Sequence, residues 1–147
     1  MRKELIERTT VLELIPQRAP LVMVDALYSF NETEIEAGLS VSSNNIGVVN
    51  NYMHESGIIE HMAQTVALHT GYDYFLKKLT PPTGYIGAIK KIDIYRLPKV
   101  GEELITHGRI IQEFLGVTLI ELTTFCNGEK IAAGEMKTVI AKTDESQ

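Results

Sequence analysis

Tryptophan is absent, cysteine occurs once, and the 14 basic residues are outnumbered by 19 acidic ones. Each scarcity excludes something. Cys126 has no partner in the chain for an internal disulfide. The formal charge is -5 and no basic cluster is longer than the pairs Arg2-Lys3, Lys77-Lys78 and Lys90-Lys91. No basic stripe is therefore available to neutralise phosphates, and nucleic acid is not an expected partner. No run of about 18 uncharged apolar residues occurs, so no membrane span is expected. The charged start Met1-Arg2-Lys3-Glu4 has no apolar run of the signal-peptide kind, which together with the lone cysteine points to a reducing cytoplasm. His54-Glu55 does not open a metalloprotease motif, because the residue four positions after His54 is Ile58. No other set of His, Cys and carboxylates has a metal-ligand spacing, so neither metal nor cofactor is expected.

What is present suits one domain over residues 1–147, with 44% hydrophobic and 22% charged residues to build a single core. Leu5, Ile6, Leu12, Leu14 and Ile15 recur at spacings near three and four, which predicts a short amphipathic helix that Pro16 ends. Residues 21–28 and 34–41 read as the two strands of a hairpin. The asparagine-rich stretch 42–52 reads as a loop. From 56 to 78 the period changes to that of a helix, with Ile59, Met62, Ala63, Val66 and Ala67 in one arc. Leu68, Tyr72 and Phe75 occupy the far side, so this helix is expected to be covered almost all round. Thr80-Pro81-Pro82-Thr83 breaks the chain, and strands are predicted at 84–97, 102–114, 117–126 and 130–142, with Asn127-Gly128 as a tight hairpin turn. Residues 143–147 read as a loose tail. The order, two strands, a helix and a strand meander, predicts an α+β arrangement of one helix against one antiparallel sheet.

Three segments carry a family likeness, in the right order over nearly the whole chain. Pro16-Gln17-Arg18-Ala19-Pro20 followed by Leu21-Val22-Met23-Val24-Asp25 resembles the first strand of the 3-hydroxyacyl-acyl-carrier-protein dehydratases of type II fatty-acid synthesis, with Gln17 in place of a family histidine. Ile59-Glu60-His61-Met62-Ala63-Gln64 resembles that family's helix motif, whose glutamate is catalytic. The segment from Gly87 to Pro98, with Val100-Gly101-Glu102, is similar to the strand and turn lining its acyl tunnel. The family's glycine- and proline-rich histidine loop is absent; Asn50-Asn51-Tyr52-Met53-His54 stands there instead. In this the chain is similar to the divergent dehydratase-like proteins of aryl-polyene pigment synthesis. The resemblance implies a hot-dog fold, a long central helix wrapped by a curled antiparallel sheet.

It also implies a chemistry: elimination of water from a 3-hydroxyacyl thioester to the 2-enoyl thioester, which needs a base for C2, a donor for the thioester oxygen and an acid for the C3 hydroxyl. On this reading Glu60 is the acid and His54 the candidate base. The substrate is bound by the first-turn amides of Gly57 and Ile58 together with Ile59, Ala63, Gln64, Ile86, Gly87 and Ile89, and the small residues Ala63, Ala67 and Gly71 are expected to leave room for its acyl chain. The plain alternatives are that Glu60 only complements the helix dipole and that His54 only satisfies backbone groups in a loop. His61 and His69 read as packing or interface residues. A fold of this kind also hosts acyl-thioesterases, and non-catalytic subunits that complete another chain's tunnel. The expected partners are an acyl carrier protein bearing the substrate and at least one further hot-dog chain, as a homodimer, a higher oligomer or a mixed dimer.

Overall fold

The computed structural model describes residues 2–140; the expected tail at 143–147 and the last two positions of the final predicted strand lie outside the described residues. The chain runs α1 (Arg8–Glu13), β1 (Ala26–Phe30), β2 (Glu34–Ser40), β3 (Val48–Val49), β4 (Tyr52–Met53), α2 (Glu55–Leu76), β5 (Gly84–Ile94), β6 (Glu103–Phe114), β7 (Val117–Cys126) and β8 (Glu129–Ile140). Six strands form one antiparallel sheet in the order β1-β2-β6-β7-β8-β5, and β3 and β4 form a separate short hairpin. This is the expected α+β hot-dog arrangement. The stretch read as a plain loop holds the short hairpin, because Asn50 and Asn51 both adopt positive φ, 52° and 71°, as a tight primed turn requires. Asn127 and Gly128 do the same between β7 and β8.

The sheet presents one face to α2 through strict alternation. On β7 the inward residues Thr118, Ile120, Leu122, Thr124 and Cys126 are all buried, and Thr106 of β6 satisfies the Thr124 hydroxyl at 2.6 Å. Ile58, Met62 and Val66 of α2 pack into this layer with Leu39, Leu104, Ile120, Leu122, Ile131 and Met136. A second cluster joins Leu68 and Tyr72 of α2 to Val11 and Leu14 of the α1 region and to Leu27, Ile35 and Ala37 of β1 and β2. The helix is thus covered on most sides, as its composition predicts. Glu60, Ala63, Ala67 and Thr70, which fall on one line at about 100° per residue, form the stripe that the chain leaves partly open.

Two departures from the sequence reading have clear physical causes. Ladder pairing of the first strand begins only at Asp25, whose amide donates to Gly38 O at 2.9 Å; the apolar run 21–24 leaves the sheet and crosses α2. Gly71, expected to leave room for a ligand, instead admits the backbone of the α1 region: a Cβ there would stand 1.9 Å from the Leu14 carbonyl oxygen. Gly71→Ala is expected to destabilise the fold by about 1–3 kcal/mol through overpacking, whereas Gly84→Ala, whose Cβ would approach Val139 O only to 3.8 Å, should be near neutral. Urea unfolding of the two variants checks this difference.

Candidate active site

The turn between α1 and residue 20 is built by the Pro-x-Arg-x-Pro stretch. The Arg18 guanidinium donates to the carbonyls of Ile15 and Gln17 at 2.8 and 2.7 Å, closing the turn. This sets Leu14, Ile15, Pro16 and Gln17 beside the open stripe of α2. Opposite them stand Pro81–Ile86 and the last residues of β8, Thr138, Val139 and Ile140. The cavity between these walls has a volume of about 450 Å³ and is lined along α2 by Glu60, Ala63, Val66, Ala67, Thr70 and Gly71. Its surface is mostly apolar, with Glu60 and Gln17 among the few polar groups. The Gln17 Oε1 is buried and accepts no hydrogen bond from the described residues.

Glu60 itself is exposed in the single chain, but its carboxylate is held. The fully buried amide of Gln64, one turn on, donates from Nε2 to Glu60 Oε2 at 3.0 Å and to the Leu21 carbonyl at 2.8 Å, while its Oε1 accepts from the Met23 amide at 2.6 Å. Gln64 therefore reaches Glu60 rather than the cavity. His61, on the adjoining face, is fully buried with Nδ1 2.7 Å from the Met23 carbonyl. Burial pushes the His61 pKa from 6.5 down to about 4, against the raising effect of that carbonyl.

The other sequence-derived residues fall in different places. His54 is the N-cap of α2; its amide donates to Gly47 O at 2.9 Å and its ring Nε2 lies 3.3 Å from Val49 O. Six residues of helix put it about 9 Å from Glu60 along the axis, and it does not line the Glu60 cavity. The amides of Gly57 and Ile58 donate to the His54 carbonyl at 3.0 and 3.3 Å, so the helix already uses them. Ile59 packs partly buried against the core. Ala63 and Ile86 line the cavity. Ile89 and Gly87 lie outside it on β5, an edge strand, with Ile89 48% exposed and Gly87 facing Val139 across a bulge. The walls at 14–17, 81–85 and 138–140 escaped the sequence reading because they meet only in three dimensions; Gln17, at a family motif position, was their one sequence signal. A depression of about 740 Å³ on the opposite face of the sheet, around Tyr28, Glu36 and Glu103, gathers none of the candidate residues. Among the described residues no cluster of His, Cys, Asp or Glu could hold a metal ion, and no helix is long and apolar enough to cross a membrane.

The stability of the fold should carry the mark of His61. Its neutral form is the folded one, so its contribution is complete above pH 6.5 and is lost as pH falls from 6.5 toward 4, with a slope of up to about 1.4 kcal/mol per pH unit. His61→Asn removes the titrating group, and the difference in unfolding free energy between parent and variant should acquire this slope in that window. A difference independent of pH would show that His61 is not buried in the neutral form.

Comparison with known proteins agrees with this fold. The dehydratase heterocomplex ApeI:P of Xenorhabdus doucetiae superposes with a TM-score of 0.84 at 16% identity, over 92% of this chain and 93% of that one. A hypothetical thioesterase from Streptococcus pneumoniae, solved with coenzyme A, shares the fold with a TM-score of 0.64 at 10% identity, over 80% of this chain and 85% of that one. In sequence, the 3-hydroxyacyl-[acyl-carrier-protein] dehydratase FabZ of Pediococcus pentosaceus is 24% identical over 96% of this chain and 97% of its own length. The family described as ApeP-like, ApeP dehydratase, matches residues 9–145, nearly the full length, and the chain belongs to that family of hot-dog dehydratases.

Proposed function

We propose that the chain dehydrates 3-hydroxyacyl groups carried as thioesters on an acyl carrier protein, with Glu60 as the acid that protonates the departing hydroxyl. The observation that carries this reading is the carboxylate of Glu60, pinned by a buried glutamine at the mouth of a largely apolar cavity of about 450 Å³. A base takes the C2 proton, the electron pair moves toward the thioester oxygen and then forms the C2–C3 double bond, and the C3 hydroxyl leaves as water with the proton from Glu60. A carboxyl group can donate only in its protonated form, which an apolar surround favours. A second hot-dog chain laid over the open stripe of α2 and the exposed edge of β5, where Tyr85 and Ile89 are 61% and 48% exposed, would supply that surround. The ApeI:P assembly is a precedent for a mixed pair of this kind.

Because His54 stands outside the cavity of its own Glu60, the base that takes the C2 proton comes from across an interface, as His54 of a second copy or from the partner of a mixed dimer. Glu60→Gln keeps shape but loses the transferable proton, so enoyl-thioester formation should fall about 10²- to 10⁴-fold. Following enoyl formation and free thiol separately distinguishes dehydration from thioester hydrolysis, the rival use of a carboxylate in this fold. If a homodimer suffices, subunit exchange between inactive Glu60→Gln and inactive His54→Ala chains should restore activity, since one site of each mixed pair then holds both groups. Two active single variants, or release of thiol without enoyl product, would overturn the assignment.

A further inference from the structure

His61 is a polar residue at the centre of an apolar core, and the elimination derived above makes no use of it. Its Nδ1 faces the Met23 carbonyl oxygen at 2.7 Å, and that oxygen can only accept. The ring therefore carries its proton on Nδ1, leaving Nε2 as a bare lone pair that is buried without a partner among the described residues. The amide of the same Met23 donates to Gln64 Oε1 at 2.6 Å. His61 and Gln64 stand three residues apart on α2, so they share a face and between them take both backbone polar groups of Met23.

This clamp removes a freedom from Gln64. Turning its amide over would set the NH2 group against the Met23 N–H, donor against donor, so the oxygen must face Met23 and the nitrogen must face Leu21 O and Glu60 Oε2. Both amide hydrogens are then committed, one to each acceptor. The Glu60 oxygen that accepts from Gln64 is Oε2, so the acid proton belongs on Oε1, the oxygen turned away from Gln64.

We propose that His61 is a positioning residue for the acid. By holding the Met23 carbonyl it fixes the Met23 amide that orients Gln64, and Gln64 in turn assigns the transferable proton to Oε1 of Glu60. The inference rests on the reading of Glu60 as the acid.

The test uses the full chain with three readouts. Nitrogen NMR of the parent should find His61 protonated on Nδ1 alone; a proton on Nε2 alone would overturn the proposal. His61→Asn places an amide NH2 where Nδ1 stood, whereas His61→Gln carries its amide one bond too far. Solvent exchange of the Gln64 side-chain amide should stay slow in the parent and in His61→Asn and rise about tenfold in His61→Gln, as loss of one hydrogen bond implies. The third readout is turnover, where His61→Gln should lower kcat by up to about 10²-fold with KM scarcely changed and His61→Asn should restore it. A folded His61→Gln protein with parental Gln64 exchange and parental kcat would refute the positioning role, as would His61→Asn behaving like His61→Gln. If the parent dehydrates no substrate, the reading of Glu60 fails by itself, while the tautomer and the exchange rates still decide whether His61 orients Gln64.

Discussion

The constraint on which the structure turns is the need to satisfy a stretch of backbone that leaves its sheet. Residues 21–24 have no neighbouring strand among the described residues, yet Met23 and Val24 lie buried beside α2, where an unpaired peptide group would cost about 1–3 kcal/mol. The helix answers with side chains. Gln64 takes the Met23 amide and the Leu21 carbonyl, and His61 takes the Met23 carbonyl. A helix in an apolar core thereby carries an imidazole and an amide, and one of these polar groups has a hydrogen to spare for Glu60. The bond that closes the fold and the bond that fixes the candidate acid come from the same amide.

The second consequence is geometric. The central strands of the sheet cover one side of α2, and the α1 turn with the β1–β2 end of the same sheet covers another, which leaves the line Glu60, Ala63, Ala67 and Thr70 partly open. Small residues along that line keep the helix surface recessed, and the cavity forms between it and walls drawn from three separate stretches of the chain. An acyl chain laid there would run along α2 with its polar end at Glu60 and its tail against Ile86, Val139 and Ile140. The same opening leaves Glu60 in water in the single chain, which is why the proposed chemistry calls for a second subunit.

Much of this was legible in the amino-acid order. The four late strands and the Asn127-Gly128 turn follow from alternation and turn chemistry, and the long helix from its period. The run Leu21-Val22-Met23-Val24 looks like a strand because it is extended and apolar, with Met23 and Val24 buried, and only His61 and Gln64, far along the chain, reveal that its hydrogen bonds go to a helix. His61 read as packing for the same reason: its partner is a backbone carbonyl, which sequence does not display. Glu60 and Ala63 were found through a motif. The cavity walls at 14–17, 81–85 and 138–140 were not, because no local pattern marks residues that meet only after the chain has folded.

The most direct test is a crystal structure of Glu60→Gln, with its partner subunit if one is needed, holding a 3-hydroxyacyl pantetheine thioester. The C3 hydroxyl should lie about 2.6–3.2 Å from the side chain at position 60, with the acyl chain over Ala63 and Ala67. A thioester carbonyl in the hydroxyl's place would mark a hydrolase, and an acyl chain bound away from this stripe would contradict the account altogether.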